Sequence, residues 1–387
     1  MKLAKRMSRL GTETAFEVLA RAQQLERQGR DIVHLEIGEP DFSSPASAIE
    51  AGIAGLRSGL TKYTTTPGLL ELRTRIAEIE GPRRGLQLSP EQVVVTPGAK
   101  PIIFYTILAT VEEGDEVLYP DPGFPIYESM IAFAGGQPVP YPLREANGFR
   151  LDLDFIADHL TPRTRLVILN SPSNPTGGVE DRRSLGRLAE LLRPANTWVL
   201  SDEIYGHFIY EGTHVSIAGL DAMAARTVIL DGFSKTYSMT GWRLGFGIMP
   251  LELVPHVTRL IVNSVSCTPA FTQKAGLAAL ETRAHTIPPM IDEYRHRREI
   301  IVDGLNAIGG VRCVKPAGSF YAFPNISAFG RPSKEIADHL LNAGGVACLA
   351  GTAFGHEGEG YLRLSFATAI EKIREGLSRI SSTLATL

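Results

Sequence analysis

Asp231-Gly-Phe-Ser-Lys235-Thr-Tyr-Ser-Met-Thr240-Gly241-Trp-Arg243-Leu-Gly-Phe-Gly247 is the stretch whose reading decides the fold. It follows Thr227-Val228-Ile229-Leu230, an apolar β-branched run that reads as a buried strand. A strand ending in small and polar residues presents its next side chains at a sheet edge, where ligands bind in open α/β folds. Lys235 stands in that turn. Buried there, a lysine amine loses hydration, its pKa falls and it becomes nucleophilic. Arg243, a fork-shaped donor, suits a phosphate, and Thr240-Gly241 lets backbone approach a ligand. A lone lysine and a lone arginine would be ordinary surface residues; the long Ser-Lys…Gly-Trp-Arg-Leu-Gly spacing argues otherwise.

This stretch resembles the cofactor-lysine region of the class I/II pyridoxal-phosphate aminotransferases, the fold-type I enzymes related to aspartate aminotransferase. The resemblance implies that Lys235 carries pyridoxal 5'-phosphate and that Arg243 clamps its phosphate. It implies a large domain with a mostly parallel seven-stranded sheet and a smaller α+β domain. Residues 1–45 are expected to belong with the small domain, 46–280 to form the large cofactor-binding domain and 281–387 the small C-terminal one.

Bulk properties agree with a globular enzyme. The 387 residues are 44% hydrophobic and 21% charged, more than one compact core accommodates. A net charge of −3 favours neither nucleic acid nor an anionic membrane. Cys267, Cys313 and Cys348 are too few and too scattered for a disulfide framework or a metal cluster, so a reducing, cytoplasmic home is expected. No signal-peptide pattern opens the chain, and Pro101–Val111, its most apolar run, is too short to span a bilayer.

Along the chain, Thr14-Ala-Phe-Glu17 has capping-box spacing and predicts a helix to Arg27, with Gly29 as its stop. A strand over 32–36 ends at Gly38-Glu-Pro, a turn. A helix is predicted over 69–79, after Tyr63-Thr-Thr-Thr-Pro-Gly68. From residue 90, strands at 92–95, 116–119, 165–169, 197–200 and 227–230 alternate with helices, the pattern of parallel βαβ units. A long charged helix through 293–305, short strands, and helices at 334–341 and from 370 onward follow.

Gly98-Ala99-Lys100, Asn174, Asp202 and Lys235 all fall just past the ends of predicted strands. Parallel strands place those ends on one edge, so the residues converge. Ala99 and Lys100 open a helix after Gly98, whose N-terminus suits a phosphate. Asp202 could simply cap a helix; beside a pyridine nitrogen its carboxylate would hold the proton that makes the ring an electron sink. The resemblance adds that Asn174 and Tyr205 donate to the ring's phenolate oxygen and that Phe124 stacks on the ring. It makes Gly38, Asn174 and Arg363 the substrate-carboxylate group, although an arginine between Leu362 and Leu364 would otherwise be a solvated strand residue. Tyr63 is implied to reach the phosphate of a partner subunit in a homodimer. The family's hydroxyl three before the lysine is replaced here by Gly232, and Ser234 is the available substitute. Cis peptides are expected at Asp121–Pro122 and Asn174–Pro175, where turns must aim neighbours at the cofactor.

The activity implied is transfer of an amino group between an L-amino acid and a 2-oxo acid, with glutamate and 2-oxoglutarate as one pair. A carbon–sulfur β-lyase, a cyclase or an oxidase would use the same cofactor residues. A ligand-sensing regulator is disfavoured because the fold begins within the first dozen residues. A nicotinamide dehydrogenase is disfavoured because no Gly-x-Gly-x-x-Gly joins an early strand to a helix. Acidic-substrate relatives carry a second arginine near the position of Asn263, and none stands here. Lys100 is the remaining candidate for a distal carboxylate, and Glu13 in Thr12-Glu-Thr14 would either pair with it or repel an acidic side chain.

Overall fold

The computed structural model describes residues 2–387. Its strands are β1 (Val33–His34), β2 (Val93–Thr96), β3 (Glu116–Asp121), β4 (Gln137–Pro142), β5 (Thr164–Asn170), β6 (Trp198–Asp202), β7 (Thr227–Gly232), β8 (Gly245–Ile248), β9 (Tyr321–Ala322), β10 (Val346–Ala347), β11 (Leu349–Ala350) and β12 (Leu362–Ser365). The helices are α1 (Thr14–Arg27), α2 (Ala46–Arg57), α3 (Leu70–Arg84), α4 (Lys100–Thr110), α5 (Ile126–Ala134), α6 (Leu153–His159), α7 (Arg182–Leu192), α8 (Val254–Val262), α9 (Ala270–Asn306), α10 (Ser333–Asn342) and α11 (Ile370–Leu384).

Seven strands form one sheet in the order β2-β8-β7-β6-β5-β3-β4. Pairing is parallel from β7 through β6, β5 and β3 to β4, while β8 runs antiparallel to both β2 and β7. This is the mostly parallel seven-stranded sheet that the sequence resemblance implies. The strands β2, β3, β5, β6, β7 and β8 are buried almost throughout, as helices on both faces require. Helix α4 is apolar on most sides because most of it lies inside: Ile102, Ile103 and Ile107 are buried between the sheet and its neighbours, and only Lys100 and Leu108 are exposed. Helix α7 shows the surface pattern instead. Leu185, Leu188, Ala189 and Leu192 face inward at helical spacing, and the Asp181 side chain caps the Ser184 N–H at 2.8 Å.

Two strands have no counterpart in the sequence reading. β4 carries Pro138, Pro140 and Pro142, which argue against a strand. It sits at the sheet edge, where Gln137 and Leu143 donate toward β3, and the alternate positions face outward, so the prolines forfeit no ladder bond. β8 lies inside the deciding stretch itself.

The remaining strands make a two-stranded β1-β10 sheet and a three-stranded β11-β12-β9 sheet. Leu35 links them: its N–H donates to Ala347 and its carbonyl accepts from Ser365. That stitch brings the N-terminal segment, with Gly38, against β12 and Arg363. Helix α1 starts at Thr14 as expected, but Glu13 occupies the cap without a side-chain bond, so the capping box does not form. Helix α3 runs five residues beyond the predicted end, through Pro82 to Arg84. Helix α9 passes unbroken through position 280, the predicted boundary. The Asp121–Pro122 and Asn174–Pro175 peptides are cis, as is Ser171–Pro172. Among the described residues no helix is long and apolar enough to cross a membrane.

Candidate active site

The parallel register does what the sequence pattern demands. Asn170, the last residue of β5, pairs with Asp202, the last of β6, and Asp202 faces Leu230 on β7. Lys235 follows β7 by a single tight turn. These ends open into one cavity of about 540 Å³. Ala99, Lys100, Phe124, Asn174, Asp202, Tyr205, Ser234, Lys235, Arg243, Gly38 and Arg363 all line it. Its size falls in the usual range for small-ligand sites, about 300–1,000 Å³.

At one end lies a phosphate-sized cradle. Gly98 has φ +90°, open to glycine, and a Cβ there would collide with the Arg243 guanidinium. Arg243 donates to the Thr240 carbonyl at 2.7 Å and keeps its remaining donors for the cavity. At the start of α4, Pro101 has no N–H and Ile102 donates to the Ala99 carbonyl at 3.0 Å, so the Ala99 and Lys100 N–H groups are left for an anion. Gly232 now has a reason: a Cβ there would stand 3.0 Å from Gly245 Cα and 3.3 Å from the Leu244 carbonyl. A side chain at 232 would have to push the β7–β8 backbone apart by a few tenths of an ångström, and Ser234 supplies the cavity-lining hydroxyl.

The middle holds the acid and the amine. Asp202 accepts from Tyr127 Oη at 2.6 Å and from the Ile204 N–H at 3.2 Å. Burial pushes its pKa up to about 6 against those bonds, and it makes no ion pair among the described residues. A carboxylate so placed calls for a cation facing it. Burial lowers Lys235 to about 8, with Glu39 pulling upward and Arg363 downward. Its Nζ donates to the Gly38 carbonyl.

At the other end Arg363 is buried, not solvated. It stacks between Tyr321 and Phe354, 4.5 and 4.9 Å from the ring centroids. It donates to Asn174 Oδ1 at 3.2 Å and to the Glu36 carbonyl, while its buried Nε has no partner among the described residues. An unpaired buried donor costs free energy unless something completes it, and a carboxylate would. The donor set as a whole, an anion cradle, an unpaired acid, a lysine amine and a carboxylate fork, fits pyridoxal phosphate with an amino acid beside it.

Tyr63 stands apart: 88% exposed, it does not line its own chain's cavity. The sequence reading missed Tyr127, which holds Asp202, and Tyr321, whose hydroxyl lies 2.7 Å from that of Tyr205. It also missed Asn170, whose Oδ1 accepts the Asn174 N–H at 2.8 Å. Asn170 ends a strand just as Asp202 does, so that signal was present. The tyrosines carry none.

Fold and site together define a pyridoxal-phosphate enzyme of fold type I. The family model "Aminotransferase class I and II" matches residues 30–380. The chain is 38% identical to aromatic-amino-acid aminotransferase 2 of Thermococcus litoralis, over 99% of this chain and 98% of that protein. It is 37% identical to an arginine–pyruvate transaminase of Pseudomonas aeruginosa, covering 96% and 95%. The solved aspartate aminotransferase of Thermus thermophilus with maleate superposes with a TM-score of 0.95 at 35% identity, covering 99% of this chain and 100% of that one. The chain belongs to the class I and II aminotransferases and is a pyridoxal-phosphate-dependent transferase.

Proposed function

We propose that this aminotransferase exchanges amino groups between glutamate or 2-oxoglutarate and a neutral or aromatic amino acid or its 2-oxo acid. The observation that carries the reading is the single cavity in which Lys235, Asp202 and Arg363 face one another. Bound there, the cofactor supplies an electron sink for charge developing at the amino acid's α-carbon. Gly98, Ala99, Lys100, Ser234 and Arg243 hold its phosphate, with the backbone groups of α4 at the centre. Phe124 covers the ring, Asn174 and Tyr205 donate to its phenolate oxygen, and Asp202 holds the proton on its nitrogen. Lys235 Nζ, depressed toward neutral pH by burial, takes the α-proton and later returns it. Arg363, with Asn174 and the Gly38 backbone, orients the α-carboxylate.

The side-chain end is built from Lys100, Glu13, Phe16 and Phe124. Lys100 Nζ donates to Glu13 and lies 5.4 Å from the centroid of Phe124. Glu13 thus stands where a substrate's distal carboxylate would, and a diacid must displace it, whereas a neutral or aromatic side chain leaves the pair intact and packs on the rings. Being half-exposed, the pair contributes only about 0–1 kcal/mol, so displacement is feasible. A panel of amino acids given to the purified holoenzyme, with the cofactor spectrum as readout, tests this. Lys100→Ala is expected to slow glutamate severalfold more than phenylalanine, and Glu13→Gln to raise the glutamate-to-phenylalanine ratio. Equal losses on both substrates, or an unchanged ratio, would rule out this division of labour. Consumption of donors without any 2-oxo acid acceptor, with release of ammonia, would rule out transamination.

Residues 1–45 and 281–387 are proposed to form the smaller unit, seated on the 46–280 unit with α9 as the shared spine. Exposed Tyr63 supports a homodimer in which it completes the partner's phosphate site. Tyr63→Phe should keep the dimer in sedimentation while weakening pyridoxal phosphate retention at least about tenfold, the low end of the ~1.5–3 kcal/mol of one hydrogen bond to a charged group. A fully active monomer would contradict it.

A further inference from the structure

Behind the cavity, on the face of the sheet away from it, lies a buried charge cluster that the site's chemistry does not use. Arg84, the last residue of α3, has a side chain with no exposed surface. Its Nε donates to Glu203 Oε2 at 2.7 Å, its Nη2 to Asp231 Oδ2 at 2.6 Å, and its Nη1 to Glu80. Arg83 adds bonds to Glu80 at 2.7 Å and to Asp231 at 3.1 Å. Glu203 also accepts from Ser201 at 2.9 Å and Ser216 at 2.5 Å, and pairs with His214 Nε2 at 2.8 Å. Burial would push Glu203 up, but Arg84 and His214 outweigh it and hold its carboxyl well below the usual range.

The positions of the two acids in the chain give the cluster its meaning. Glu203 directly follows Asp202 at the end of β6. Asp231 is the penultimate residue of β7, four positions before Lys235. One planar guanidinium therefore ties the carboxyl ends of both strands from behind, and its fork fixes the two carboxylates in a plane. The tie is reinforced across the strands by the Glu203 N–H, which donates to the Leu230 carbonyl at 2.9 Å, while within β7 Asp231 Oδ1 accepts the Gly232 N–H at 2.7 Å and fixes its own carboxylate. The continuation of α3 through Pro82 delivers Arg84 to this point. Sites need their reacting groups held within about 0.5 Å, which supporting contacts supply.

We propose that Arg84 is a positioning residue that sets the separation between the Asp202 carboxyl and the Lys235 amine by clamping Glu203 and Asp231. This rests on the proposed roles of Asp202 and Lys235. A cluster that merely stabilises the fold would alter melting temperature alone, whereas a positioning cluster also alters the environment of the bound cofactor.

The test is an Arg84→Lys holoenzyme, which keeps the charge and loses the fork. Three quantities are measured: the pH midpoint of the cofactor's visible absorption, the dissociation constant for pyridoxal phosphate, and the melting temperature of the chain. Leu340→Ala in α10, a fully buried apolar change at a residue outside the cluster, provides a purely structural control. For Arg84→Lys the midpoint is expected to move by about one unit, the low end of what a rearranged nearby charge imposes. Pyridoxal phosphate affinity is expected to fall about tenfold, the low end for partners that support a ligand from outside. Leu340→Ala should lower the melting temperature with midpoint and affinity unchanged. If Arg84→Lys does not fold, Glu203→Gln, which keeps the shape and removes the charge, carries the same expectation. A wild-type midpoint and affinity in the folded variant would overturn the proposal. Retention of the wild-type absorption band in Lys235→Ala would remove the reading beneath it, and with it the inference.

Discussion

Lys235→Ala is expected to lower transamination by about 10⁴-fold or more, since general acid–base transfer alone accounts for ~10²–10⁴ and the covalent hold on the cofactor is lost as well. Borohydride reduction of the wild-type holoenzyme followed by peptide mapping should mark Lys235; a mark on any other lysine would sink the assignment. The pH behaviour is a second check. With its pKa lowered to about 8, the amine is half neutral near that pH, whereas an unperturbed amine at 10.5 is almost wholly charged there. Loading of the cofactor-free chain with pyridoxal phosphate should therefore accelerate as pH rises through about 8 and level off above it. The sign for stability is fixed by the same shift. A lysine whose folded pKa is depressed contributes its full stability above the unfolded value of 10.5, and that contribution is lost as pH falls through about 8. The cofactor-free chain should accordingly melt at a lower temperature at pH 7 than at pH 9, and replacing Lys235 by methionine should flatten that difference.

Arg363→Ala is expected to weaken every amino acid and 2-oxo acid alike, because all share the α-carboxylate. Truncating one side of a buried, hydrogen-bonded charge pair costs ~2–5 kcal/mol, which is at least ~30-fold in kcat/KM. The loss should fall equally on glutamate and phenylalanine, in contrast to the selective effect at Lys100. Arg363→Lys should recover only part of it: an ammonium cannot reproduce the planar fork or the stacking between Tyr321 and Phe354. The Glu36 carbonyl loses a donor in the alanine variant, so a modest fall in melting temperature accompanies the change. A substrate-dependent loss at Arg363 would place the α-carboxylate elsewhere.

The sequence by itself determined the parallel framework and most of the site. Short apolar runs followed by Asn174, Asp202 and Lys235 announce strand ends, and parallel strands bring such ends together whatever their separation in the chain. Gly98 with the helix start at Lys100 announced the anion cradle for the same local reason. Arg363 was legible as a strand residue, but its burial was decided by Leu35 stitching the N-terminal segment onto β12, a contact across more than 300 positions. Only the tertiary structure decided three further matters. The prolines of β4 are tolerated because that strand lies at an edge, and edge position is not a local property. The support of Asp202 by Tyr127 depends on the direction of a side chain on α5, which helical spacing does not encode. Arg84 lies five residues past the helix end that the sequence predicts; its burial against Glu203 and Asp231 arises because α3 continues past its apolar pattern and ends beneath two strands brought side by side by the sheet.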